Sequence, residues 1–289
     1  MRTRPAQFRR RKIKLTLSPL KLGLSAVLAF AQISHAERLE PFRCGSALEE
    51  AKCLLRAVFP YGQLGERLAQ IPAPLDDLIG RPVVIQPQSF RSFLASRGIA
   101  EHDLGGNLSD PLSRTLWGDV ADYFVIHDTS TPVYKPNEEF PTAINDRSWN
   151  QRLLQALVRN ESAHVFIDRT GSSKTALGFA SPLRTTVFEK LREPARRGLF
   201  LGVELIQPRK LDARGIDATA PSPGFTETQL DRLALTYIAA SVRRGQWMIP
   251  AFHAAIDSGL PNAHDDPQNF DLKVWAQRLR VLLDAISKQ

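Results

Sequence analysis

Acidic side chains are missing from the first 36 residues of this 289-residue chain, which carry eight Lys and Arg. Beyond them thirty basic side chains stand against thirty acidic ones, so the net charge of +8 belongs to that leader alone. A neutral body excludes the electrostatic footprint of a nucleic-acid binder. Long apolar runs are missing too, since Leu22 to Ile33 is too short to cross a bilayer comfortably. Preceded by Arg9 to Lys14 and followed by the small residues of Ser34-His35-Ala36, it reads as the core of a secretory signal, with residues 1–36 cleaved before Glu37. An uncleaved anchor is the alternative, and Arg10-Arg11 is faintly twin-arginine-like. The expectation is an exported protein, periplasmic or secreted, without stable membrane insertion after cleavage.

Cysteine is scarce as well, with only Cys44 and Cys53. Export permits a bond between them. However, Ser46 and Glu49 read as a capping box that opens a helix near Ala47. Two cysteines nine residues apart on one helix would be about 13 Å apart along its axis, too far to bridge. A bond therefore requires Cys44 to fold back from an extended lead-in, and a plain buried Cys53 is the alternative. Internal repeats and low-complexity tracts are also absent.

The 43% apolar content suffices for one large or two small domains. Residues 37–118 read as a mixed N-terminal extension, with helices over about 47–58 and 89–97, a turn-rich stretch around Pro60 and Pro72 to Pro74, and a short apolar run from Pro82 to Ile85. From about residue 119 the texture changes. Tyr123 to Ile126 and Ala163 to Asp168 read as buried strands, and Leu199 to Ile206 alternates between two faces. Thr226 and Gln229 form a capping box ahead of Leu230, Leu233, Tyr237, Ile238 and Val242 at helical spacing, and Gly245 stops that helix. A last helix starts near Asp271 and buries Trp275, Leu279 and Leu282. Strands before and between helices predict an α/β fold: one mixed central β-sheet flanked by helices, with the mixed N-terminal extension packed on it.

Three local contexts carry candidate chemistry: VIHDTS around His127, PAFHAAIDSG around His253, and HDDPQNFD around Asp266. Two imidazoles and a carboxylate are the ligand set of a catalytic Zn2+, with a fourth position left for water. Singly each residue has a plainer reading: His127 as a core histidine, Asp266 before Pro267 as a turn residue. Glu204 lies within an otherwise apolar strand, where a carboxylate is costly unless paired or used. It is a candidate general base with a raised pKa, unless that strand face is solvated. His264, two residues before Asp266, is a candidate to stabilise an oxyanion or protonate a leaving nitrogen. His164 is either a substrate contact or a structural histidine.

The blocks VIHDTS, SAHVFIDRTG, FLGVELIQP, TETQLDRLALTYIAASV and IPAFHAAIDSGLPNAHDDPQNFD, in that order over about residues 120 to 285, resemble the type 2 N-acetylmuramoyl-L-alanine amidase family. This is the zinc amidase fold shared with T7-type lysozyme and peptidoglycan recognition proteins. The resemblance implies a zinc amidase domain at 119–289, with His127, His253 and Asp266 as zinc ligands and Glu204 as the catalytic carboxylate. It implies cleavage of the amide between the lactyl group of N-acetylmuramic acid and L-alanine, in peptidoglycan or muropeptides. The family usually has Lys two residues before the ligand Asp, where this chain has His264. Imidazole, neutral at pH 7, is a weaker anion stabiliser than ammonium, so a shifted pH optimum is expected. Some members have Tyr where this chain has Ala163, which throws weight on Glu204, and a Trp-rich stretch is replaced by Leu183 to Glu193. The alternatives are a non-catalytic peptidoglycan-binding module and a zinc peptidase that cuts within the stem peptide.

Overall fold

The computed structural model describes Phe42 and residues 44–289; the expected signal segment lies outside the described residues. In chain order the α-helices are α1 (Ala47–Leu54), α2 (Leu75–Leu78), α3 (Pro87–Ser96), α4 (Arg147–Leu157), α5 (Val187–Leu191), α6 (Glu227–Arg244), α7 (His253–Ile256) and α8 (Leu272–Ile286). The strands are β1 (Tyr123–Asp128), β2 (Val133–Tyr134), β3 (Val165–Ile167), β4 (Ser173–Thr175), β5 (Phe200–Leu205), β6 (Arg209–Leu211), β7 (Ala218–Thr219) and β8 (Ile249–Phe252). The fold is α/β with a mixed central sheet in the order β4-β3-β5-β1-β8. Its strands are parallel except β4, which runs antiparallel to β3. A small second sheet, β2-β6-β7, stands beside it.

Parallel pairing buries both faces of a sheet, and β1 is buried at all six positions. On one face Phe124 meets Tyr237 of α6 at 5.3 Å between ring centroids, and Tyr237 meets Trp275 of α8 at 5.5 Å, so the helices stack outward in layers. On the other face Tyr123 stacks on Phe200, and its hydroxyl donates to Glu50 of α1. Phe42 and Phe188 close over the same aromatic pair. The N-terminal extension is thus packed on the sheet, and one hydrophobic core runs from Ala51 to Ile286.

Local signals explain the element ends. At α6 Thr226 accepts from the Gln229 N–H while the Gln229 side chain accepts from the Thr226 N–H, and Gly245 (φ 74°) closes the other end; such a cap contributes about 1 kcal/mol. Asp271 caps α8 through the amides of Lys273 and Val274. The first helix stops at Leu54, short of the expected Val58, because Leu55 leaves helical backbone and Val58 bridges to Leu64. Cys44 does fold back beside Cys53, yet both remain free thiols; burial, then the contact with Cys53, push the Cys44 thiol up to about 12. No helix among the described residues is long and apolar enough to cross a membrane.

Candidate metal centre

The C-terminal ends of parallel strands are where open α/β sheets place their ligands, and the three candidate ligands meet at that edge. His127 is the fifth residue of β1. In the β1–β5 register it lies opposite Glu204, so the two side chains share a face. The β1–β8 register ends at Ile126 opposite Phe252, and His253 follows one residue later at the start of α7. Asp266 comes from the loop before α8, whose backbone is fixed where Ala254 N–H donates to Asp266 O at 2.8 Å.

His127 Nδ1 and His253 Nδ1 face each other at 2.8 Å. Asp266 Oδ1 is 3.1 Å from His253 Nδ1, and Oδ2 is 3.7 Å from His127 Nδ1. All three residues are buried, and one ligand atom from each falls within 4.8 Å of the others. This group can hold a metal ion.

Charge around the group argues that it fits a cation. Asp266, Asp128, Asp257 and the covered Oε2 of Glu204 bring four carboxylates into or beside the site, and Arg209 is the buried guanidinium among them. Burial works against the Asp266 carboxylate, but the His253 charge outweighs it and holds Asp266 well below the usual range. Burial likewise opposes the His253 imidazolium, yet Asp266 and Asp257 carry it up to about 10. At His127 burial, then the neighbouring His253, push the pKa well below its usual value. One ring is therefore held neutral and the other is drawn into countering excess negative charge. A divalent ion answers that excess directly and leaves both imidazoles as neutral ligands.

Glu204 is half-buried with Oε2 covered and without a hydrogen-bond partner. Burial raises its pKa well above the usual carboxylate value, and Asp266 and Asp128 raise it further. The solvated-face alternative fails, because Phe200 and Gly202 on the same face are buried. His264 sits at the rim with its side chain 54% exposed, stacked on His253 at 4.2 Å, with Nδ1 3.5 Å from Asp266 Oδ1. His164 is fully buried: Gly202 N–H donates to its Nδ1, and its Nε2 meets Ser181 O, so it offers no nitrogen to a substrate. Burial takes its pKa down to about 4.

Several residues that matter here carried no functional reading from sequence. Asp128 holds the loop of Asp266 in place: its carboxylate accepts from Arg209 Nη2 at 2.8 Å and from the N–H groups of Ser130 and Gln268, while its own N–H donates to Asp266 Oδ2 at 3.1 Å. Burial lifts Asp128 to about 6, with Arg209 pulling the other way. Breaking such a buried pair costs about 3–5 kcal/mol. Asp257, at the end of α7, touches His253. Its signal was the helical i, i+4 spacing from His253, and that of Asp128 was adjacency to His127.

Beside the site, Ser130, Arg209, Asp217 and Asp265 help line a cavity of about 240 Å³ against the small sheet. A larger cavity of about 580 Å³, lined by Arg159, Lys174 and Arg232, lies at the β4 edge and includes none of the candidate ligands. Compared with family sequence models, with curated proteins and with solved structures, the chain matches none.

Proposed function

We propose that this chain is a zinc-dependent N-acetylmuramoyl-L-alanine amidase, an exported hydrolase that cuts the lactyl–L-Ala amide of peptidoglycan or muropeptides. The observation that carries the proposal is the buried convergence of His127, His253 and Asp266 with Glu204 in register beside His127. The resemblance of five ordered sequence blocks supplies the substrate class.

An unactivated amide needs a strong nucleophile, a polarised carbonyl and a proton for the departing nitrogen. Zinc held by His127, His253 and Asp266 would supply Lewis acidity to the carbonyl and to the attacking water. Glu204, with its pKa raised by burial, Asp266 and Asp128, accepts the proton of that water and returns it to the leaving nitrogen. His264, exposed at the rim and anchored by stacking on His253, is placed to hydrogen-bond the oxygen that gains charge in the transition state. The Asp128–Arg209 pair holds Asp266 in place throughout.

The test is digestion of purified sacculi and soluble muropeptides by the zinc-loaded protein, with identification of the new termini. Free N-terminal alanine with intact muramic acid is the expected product. Cuts within the stem peptide would make it a peptidase, and binding without cleavage would make it a recognition module.

A further inference from the structure

Asp257 is a fully buried carboxylate that the reaction above does not use. It closes α7, four residues after His253, and its Oδ2 lies 2.8 Å from His253 Nε2, a close ion-pair contact that is off hydrogen-bond alignment. The same carboxylate accepts from Phe188 N–H at 2.9 Å and from Val187 N–H at 3.2 Å, the first amides of α5. It therefore joins a candidate metal ligand to the segment that packs beneath the other one: Thr185, two residues before Val187, lies against Gly202 under His127.

We propose that Asp257 is a positioning residue of the metal centre: it holds the His253 ring so that Nδ1 presents its lone pair to the ion. A carboxylate can only accept, so an approach of 2.8 Å favours the proton on Nε2. A neutral imidazole with its proton on Nε2 has its lone pair on Nδ1, the nitrogen that faces His127 Nδ1 and Asp266 Oδ1. A metal-bound histidine is ordinarily oriented in this way by a carboxylate on its far nitrogen. The two rings are not served alike. Neither far nitrogen makes an aligned hydrogen bond, but His253 Nε2 has the Asp257 carboxylate at 2.8 Å, whereas the carboxylate contact of His127 is through Nδ1. The alternative is that Asp257 serves only the N-terminus of α5, where Thr186 and Glu189 already form a reciprocal cap.

This inference rests on the metal reading above, and its test separates the two. The full chain and Asp257→Asn are titrated with zinc against a chelator of known affinity. The asparagine oxygen can still cap α5 but carries no charge toward His253, so the zinc dissociation constant is expected to rise about 10- to 100-fold. Thr186→Ala weakens the α5 cap without touching His253; it should lower thermal stability and leave zinc affinity unchanged. Wild-type affinity in Asp257→Asn overturns the proposal, as does an equal loss in Thr186→Ala. A readout independent of variant folding is the tautomer of His253 in the zinc-loaded wild-type protein, from nitrogen chemical shifts of the ring. Protonation at Nε2 supports the proposal, and protonation at Nδ1 refutes it. A wild-type chain that binds no zinc overturns the metal reading, and this inference with it.

Discussion

Gly202→Ala puts one methyl group at the closest packing point beneath the candidate metal centre. A Cβ at that position would stand 2.7 Å from Thr185 Cγ2, 3.0 Å from Thr185 Cβ and 3.2 Å from His127 Nε2. Thr185 and His127 are both buried, so neither can swing into solvent. Stiffening the unfolded chain by replacing glycine favours the variant by about 0.4–1 kcal/mol. Overpacking a dense core costs about 1–3 kcal/mol, so the clash prevails. The expected result is a melting temperature lower by a few degrees, on the scale of roughly 2–4 °C per kcal/mol for a chain of this size. Displacement of the His127 ring should also weaken zinc binding. Adding Thr185→Ser removes the 2.7 Å contact but leaves those at 3.0 and 3.2 Å, so the double variant should regain part of the stability and not zinc affinity. Calorimetry and chelator competition on the three variants read these two effects separately. A Gly202→Ala protein with wild-type melting and wild-type zinc affinity would refute the packing argument.

Three further outcomes are expected. Glu204→Ala should lose about 10²- to 10⁴-fold in turnover while keeping its zinc, as read by metal analysis and product release; full activity would remove Glu204 from the mechanism. His264→Lys should remain active with an altered pH–rate profile, and an inactive but folded, metal-loaded variant would show that the imidazole has a specific task. Glu189, the buried residue of α5, has its pKa pushed up by burial from 4.5 to about 7, against the pull of hydrogen bonds from Thr185 and Thr186. A carboxyl group raised in the folded state stabilises below pH 4.5 and loses that contribution as pH rises through about 7. Glu189→Gln does not titrate, so its stability relative to wild type should improve by about 3 kcal/mol from pH 4.5 to 8. Denaturant unfolding at both pH values checks this, and a constant difference would contradict it.

Elements with strong local signals were legible in the chain. The α6 capping box, the Asp271 cap of α8 and the alternation of β5 need only neighbouring residues to be read. The small sheet was not legible, because Val133–Tyr134, Arg209–Leu211 and Ala218–Thr219 are too short to show any period. Strand β4, Ser-Lys-Thr, is polar and equally silent. Pro250 sits inside strand β8, Ile249–Phe252. It lies at the sheet edge and pairs only with β1, where a missing N–H is tolerated. For the candidate site, residue types and spacing pointed to His127, His253, Asp266 and Glu204. The carboxylates that hold them, Asp128 and Asp257, were passed over because their partners, Arg209 and the amides of Val187 and Phe188, are 81 and about 70 residues away in sequence.

The hydroxyl of Tyr123 donating to Glu50 has a consequence for dissection of the chain. Tyr123 lies four residues before His127 on the same strand and the same side of the sheet, so the first helix roofs the floor on which the histidine stands. Excising residues 119–289 would strip that roof and leave Tyr123, Phe200 and Phe188 facing water. Such a fragment should be recovered as insoluble material, and the half that carries the candidate metal centre cannot be handled as a free-standing cassette.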